Sequence, residues 1–228
     1  QNMKRIIKNH REPEFFSEWK QQNPSKKYKD LQGTLTKKRL HSELLLEQYF
    51  LCCYCGTNIE VENSHVEHLQ PQSKFKKRTL NYNNLLISCN GDNLIESDVQ
   101  ELKYCGHLKL DHYNSEMLTP LDEDCEERMI LSADGRINIV RDEDFGATTA
   151  IDVLGLNTYV LIDRRASIID GILTEVMGKS MNDYEQDQYF KEVLEDLQSI
   201  NNGRLPKFSQ ELTSFLMNEF DVFDLDKV

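Results

Sequence analysis

Apolar residues along this chain change their spacing several times, and each change marks an element. A short helix is predicted around 14–21, ended by Asn23-Pro24-Ser25, because proline lacks the amide a helix needs and disfavours helical geometry in its predecessor. A longer helix is predicted from about Thr36 to Phe50, with Leu40, Leu44 and Leu51 on one stripe, and it leads straight into a cysteine-rich turn. His65–Gln70 then reads as a strand stopped by Pro71, and Asn84–Ser88 as a second strand returning beside it after a basic loop. The polar stretch Asp92–Lys103 fits a solvent-facing helix or an insertion. Met129–Leu131 and Arg136–Val140 flank Ser132-Ala133-Asp134-Gly135, whose Asp-Gly pair predicts a tight hairpin. Helices are predicted after it at about 147–154, 157–177, 184–199 and 209–221, with Ser209 as N-cap of the last. The order predicts an α+β fold in three parts: a basic helical segment at 3–50, a compact core at 51–118, and an acidic, mainly helical region at 119–228, with Pro120 near the second boundary.

Composition narrows the function classes. At 228 residues the chain can bury a real core as one or two domains. Hydrophobic residues at 39% and charged residues at 29% argue against both a membrane-spanning and a disordered chain. No apolar run approaches the roughly 18 residues of a transmembrane helix, and the N-terminus lacks a signal-peptide core. A cytoplasmic protein with no membrane partner is expected. Gln1-Asn2 read as a remnant ahead of Met3, the expected natural start.

Net charge of -12 argues at first against a nucleic-acid partner, but its distribution changes the picture. Residues 1–114 carry 17 Lys+Arg against 14 Asp+Glu, whereas residues 115–228 carry 10 against 25. Within the first half, Lys26, Lys27, Lys29, Lys37, Lys38 and Arg39 form one basic stretch, and Lys74, Lys76, Lys77 and Arg78 another. Either is a solvated charge run or a phosphate-binding surface, and the second lies just beyond His68. The acidic half suits a protein partner better than nucleic acid.

Six cysteines without a secretion signal favour thiols or metal ligands over disulfides. Cys52 and Cys55 form a C-x-x-C that can aim two thiolates at one tetrahedral ion, with Gly56 easing the turn, and Cys89 and Cys105 would complete a four-cysteine structural zinc site. A redox C-x-x-C and plain buried thiols are the alternatives. Cys53 is expected in the core, and Cys125, without a partner, is expected to be structural.

The neighbouring Glu67 and His68 carry a different chemistry. The carboxylate can hold a divalent cation while the imidazole takes a proton from an attacking water, the two functions that phosphodiester hydrolysis needs. Asn84 can fix the loop or orient His68 through its amide. His65 shares a strand face with Glu67, as a direct ligand or a supporting group. His10 and His41 are expected to be ordinary surface or core residues.

These residues together resemble the HNH endonucleases, and most closely the HNH subunits of Septu and retron anti-phage systems. The matching stretches are Cys52-Cys53-Tyr54-Cys55-Gly56, His65-Val66-Glu67-His68-Leu69-Gln70-Pro71, Asn84-Leu85-Leu86-Ile87-Ser88-Cys89 and Cys105-Gly106-His107-Leu108-Lys109. Thr119-Pro120-Leu121, the Asp134-Gly135 hairpin, Leu154-Gly155-Leu156-Asn157, Leu161 and Arg164 or Arg165 extend the likeness over about 3–170. The resemblance implies a small ββα-metal core. Within it Glu67 stands at the metal-ligand position, His68 at the general base and Asn84 at the middle asparagine. The residue after the last zinc cysteine, a ligand in many relatives, is here Gly106, so His107 is the implied second ligand of the catalytic divalent ion, Mg2+ or another, with Asp111 and His112 in reach. The resemblance further implies an endonuclease acting as effector of a defence complex, on DNA or on RNA such as tRNA, beside an ATPase subunit and in some systems a retron reverse transcriptase with its DNA–RNA product. A zinc-stabilised assembly module with a degenerate nuclease site is the competing expectation, and Gly106 is the residue that favours it.

Overall fold

The computed structural model describes residues 3–8, 12–91 and 103–220. Helix α1 (Glu14–Gln22) starts after Pro13, whose φ of -53° already suits a helix, and buries Phe16. Helix α2 (Leu35–Glu47) is capped by Thr34, whose hydroxyl accepts from the Lys37 amide, and buries Leu40, His41, Leu44 and Leu45 along one face. It ends earlier than predicted, because Tyr49 and Phe50 take positive φ angles of 52° and 59° and turn the chain. Leu51 therefore lies off the helical stripe and pairs with Asn58 in a bridge across the cysteine turn.

Strands β1 (Ser64–His68) and β2 (Leu85–Cys89) form an antiparallel hairpin with Glu67 opposite Leu86 and His68 opposite Leu85. All five β2 residues are buried. A buried strand needs partners on both edges, and Gln48 supplies part of the second: its side chain accepts from the Ile87 amide at 2.7 Å and donates to the Ile87 carbonyl at 2.9 Å. After residues outside the described set, which include most of the predicted Asp92–Lys103 element, a single helical turn, α3 (Gly106–Lys109), follows Cys105.

The second hairpin, β3 (Met129–Leu131) with β4 (Ile137–Ile139), turns through Gly135 at φ +84°, where a β-carbon would fall 2.3 Å from the Ile162 carbonyl. Helices α4 (Phe145–Leu154), α5 (Tyr159–Gly178), α6 (Asp183–Gln198) and α7 (Ser209–Glu219) complete the chain. The motif after α4 has a structural use. Asn157 bonds both the amide and the carbonyl of Ile137, and buried Arg165 donates to the carbonyls of Gly135 and Leu156, tying α5 to the hairpin. Ser209 is the first residue of α7 rather than its cap: left-handed Phe208 precedes it with no side-chain cap.

One contiguous apolar cluster runs from Met3 to Leu216. The N-terminal segment is pinned by the Ile6 amide on the Pro120 carbonyl, and the approach to α7 by the Phe208 amide on the Gly56 carbonyl. The architecture is thus α+β, with α7 packed against α6 and β3. Among the described residues no single helix is long and apolar enough to cross a membrane.

Candidate functional site

The sulfur cluster forms where three segments converge. The C-x-x-C turn closes with the Gly56 amide on the Cys52 carbonyl, the end of β2 brings Cys89, and the start of α3 brings Cys105. The Sγ atoms of Cys52 and Cys105 are 3.8 Å apart, as are those of Cys55 and Cys89, and all four lie within 4.8 Å of one another. Metal–thiolate bonds of about 2.3 Å put tetrahedral sulfurs about 3.8 Å apart, whereas a disulfide needs about 2.05 Å. The four buried cysteines therefore fit a tetrahedral metal centre. Burial opposes ionisation of Cys52, yet the neighbouring thiols, Cys105 foremost, hold its pKa well below the usual thiol range, and the Cys89 amide donates to its sulfur at 3.3 Å. Cys53 stands outside the cluster, and burial pushes its thiol well up. Cys125 donates to the Met3 carbonyl, its pKa pushed up to about 12 by burial.

Both cysteine segments also deliver a hydrogen-bond donor to Glu67. Tyr54, inside the C-x-x-C, donates to Oε1 at 3.1 Å, and Lys109, at the end of α3, donates to the same oxygen at 2.8 Å. The other oxygen, Oε2, faces His65 Nε2 at 3.6 Å, an ion-pair contact rather than a hydrogen bond. His65 Nδ1 meets Asn90 Oδ1 at 2.8 Å, which leaves Nε2 directed at the carboxylate. The exposed His107 ring packs edge-on against His65 with centroids 4.9 Å apart. Burial pushes the Glu67 carboxyl up, but His65 and Lys109 together outweigh it and hold the group below its ordinary range. Gly106 lies beneath this group: a β-carbon there would fall 2.7 Å from His65 Nε2 and 3.0 Å from Glu67 Oε2. Glu67 and His65 thus bring one carboxylate oxygen and one imidazole nitrogen together beside the His107 ring, while among the described residues the four cysteines alone gather three or more ligand atoms within 4.8 Å of one another.

Alternation along β1 sends His68 to the opposite face from Glu67. Its Nε2 lies 3.0 Å from the Thr79 carbonyl, which can only accept, so Nε2 carries the proton and Nδ1 keeps its lone pair. Burial lowers the His68 pKa, against the opposing pull of the Thr79 carbonyl and Glu67. Tyr28 packs edge-on against the ring, and Lys37 covers Tyr28 at 4.1 Å from its centroid. The two basic stretches thus reach His68 from both sides, one through Tyr28 and Lys37, the other through the Lys76–Arg78 turn that precedes Thr79.

Asn84, buried at 1% exposure, accepts from the Gln70 amide and donates to the carbonyls of Gln70 and Arg78. These bonds tie together the two ends of the basic loop, and none of them reaches His68. His41 is buried against the Ser64 hydroxyl at 2.9 Å, while His10 lies outside the described residues. Asp111 and His112 are exposed beyond the turn at Leu110. Sequence reasoning missed Tyr54 and Lys109 as partners of Glu67 and Thr79 as partner of His68. Tyr54 carried a signal, an aromatic hydroxyl inside a buried C-x-x-C; a backbone carbonyl such as that of Thr79 carries none.

No protein-family model matches the chain. It is 29% identical over 191 residues, 81% of this chain and 84% of the relative, to a protein of Vibrio cholerae serotype O1 biovar El Tor named, on inference, as an HNH endonuclease of retron Vc95.

Proposed function

We propose that this chain is an HNH-type endonuclease that hydrolyses phosphodiester bonds in nucleic acid. The observation that carries the reading is the pair Glu67–His68 with its two surroundings: an ion-ready carboxylate oxygen beside His65 and His107, and an imidazole with Nδ1 unprotonated between two basic stretches. The similarity to the retron Vc95 protein supports the same family. Glu67 Oε2, His65 and His107 would hold a divalent ion, Mg2+ or Mn2+, and such an ion supplies charge neutralisation at a scissile phosphate. His68, on the other face of β1 but at its last position, would meet the attacking water around the strand's end, where Nδ1 would take the proton while the Thr79 carbonyl keeps the ring in the required tautomer. Asn84 holds the loop bearing Lys74, Lys76 and Lys77, which bind backbone phosphates. Zinc at Cys52, Cys55, Cys89 and Cys105 would be structural, because four protein thiolates leave no open position.

The same reading makes the chain the effector of an anti-phage complex, with the acidic C-terminal half docking an ATPase subunit and DNA favoured over RNA as substrate. The test is cleavage of mixed DNA and total RNA, with Mg2+ or Mn2+, by the wild type and His68→Ala purified with any neighbouring ATPase. Cleavage lost in the mutant is expected, and the degraded pool identifies the polymer. A second reading, an assembly module, is favoured by the Lys109–Glu67 ion pair, which already balances the carboxylate. Absence of cleavage by either protein in an assembled, zinc-loaded complex would favour it.

A further inference from the structure

Lys109 is 2% exposed and ends a one-turn helix bounded by two non-glycine residues at positive φ, Cys105 at 56° and Leu110 at 47°. Left-handed geometry is costly in such residues and persists where surroundings enforce it. Here the last cysteine of the sulfur cluster enforces the start, and the Lys109 amide bonds back to its carbonyl at 2.9 Å. The cysteine cluster thereby fixes a buried ammonium whose donors go to Glu67 Oε1 at 2.8 Å and the His68 carbonyl at 3.2 Å. With Tyr54 on the same oxygen, Oε1 is saturated and only Oε2 remains for an ion.

Resting on the nuclease reading above, we propose that Lys109 is a positioning residue that restricts Glu67 to one-oxygen coordination and keeps the catalytic ion weakly held and exchangeable. A fixed positive charge on the ligand carboxylate repels an incoming dication and removes the option of bidentate binding. The same contact keeps the Glu67 carboxylate oriented between ion-binding events. One chain then carries two metal centres of opposite character: a closed sulfur site that retains its ion and an oxygen–nitrogen site that releases it.

The test is Mn2+ titration by calorimetry of the zinc-loaded full chain, comparing wild type, Lys109→Met, Lys109→Gln and Glu67→Gln, with zinc content measured in each. Met and Gln variants that keep their zinc and bind Mn2+ at least tenfold more tightly than wild type are the expected result, with a larger Mn2+-induced rise in melting temperature. Equal or weaker Mn2+ binding by both overturns the assignment, as does loss of zinc and cooperative unfolding in both, which would make the ion pair purely structural. Wild-type binding that Glu67→Gln abolishes separates the two ideas: it upholds the ion site whatever the Lys109 variants do. No Mn2+ bound by any of the four proteins overturns the nuclease ion site together with the Lys109 role.

Discussion

Replacing Cys105 by serine should release the metal and unfold the first hairpin, because this one thiolate anchors two structures. It is the fourth member of the sulfur cluster, 3.8 Å from Cys52, and the residue that starts α3 and so places Lys109. Structural zinc binding is worth roughly 10–16 kcal/mol at neutral pH, so an average thiolate accounts for about 3–4 kcal/mol, or two to three decades of affinity. Whole-domain stability is only about 5–15 kcal/mol, so losing this term together with the α3 register removes a large share of it. The assay is zinc stoichiometry by elemental analysis combined with thermal unfolding, before and after a strong chelator. Wild type should carry one zinc per chain and lose its cooperative transition when stripped; Cys105→Ser should be purified with little metal and melt well below wild type. A wild type purified without zinc, with a melting temperature that the chelator leaves unchanged, would refute the metal centre and leave four ordinary core cysteines.

Three further outcomes follow from particular contacts. Asn84→Ala leaves two half-buried carbonyls and one amide without their partner and should cost about 1–3 kcal/mol, read as a lower denaturant midpoint and faster proteolysis within 71–79. Gly106→Ala drives a methyl into His65 Nε2 and Glu67 Oε2, so Mn2+ affinity should fall at least tenfold while zinc content stays at one; unchanged Mn2+ binding would displace the proposed ion site. Glu211 lies against Gly56, and burial raises its pKa from 4.5 to about 8, so between these values the unfolded chain is ionised and the folded chain protonated. The folded state then binds the extra proton, and stability falls with rising pH through that window by up to about 1.4 kcal/mol per pH unit. Glu211→Gln should flatten this slope in chemical denaturation at pH 5, 6, 7 and 8, and a parallel slope in both proteins would show that Glu211 is not its source.

Much of the local geometry was legible in the sequence because it depends on neighbours along the chain. The C-x-x-C spacing places two thiols on one turn, adjacency makes Glu67 and His68 face opposite sides of a strand, and Asp134-Gly135 sets the second hairpin, whatever the rest of the fold does. The break at Asn23-Pro24 and the helical spacing of Leu40 and Leu44 are equally local. Tertiary structure alone decided what those residues meet. Only the packing of α3 against β1 puts Lys109 on Glu67 across 42 positions, and only the fold of the loop puts the Thr79 carbonyl on His68. Neither partner follows a spacing rule, since a buried ammonium or a backbone carbonyl is matched by distance in space. The end of α2 was missed for a related reason: Tyr49 and Phe50 adopt positive φ against their own preference, held by the chain's turn into the cysteine cluster. Local periodicity thus determines which side chains are presented, while long-range burial decides that Tyr54 and Lys109 both meet one oxygen of Glu67 and leave the other facing His65.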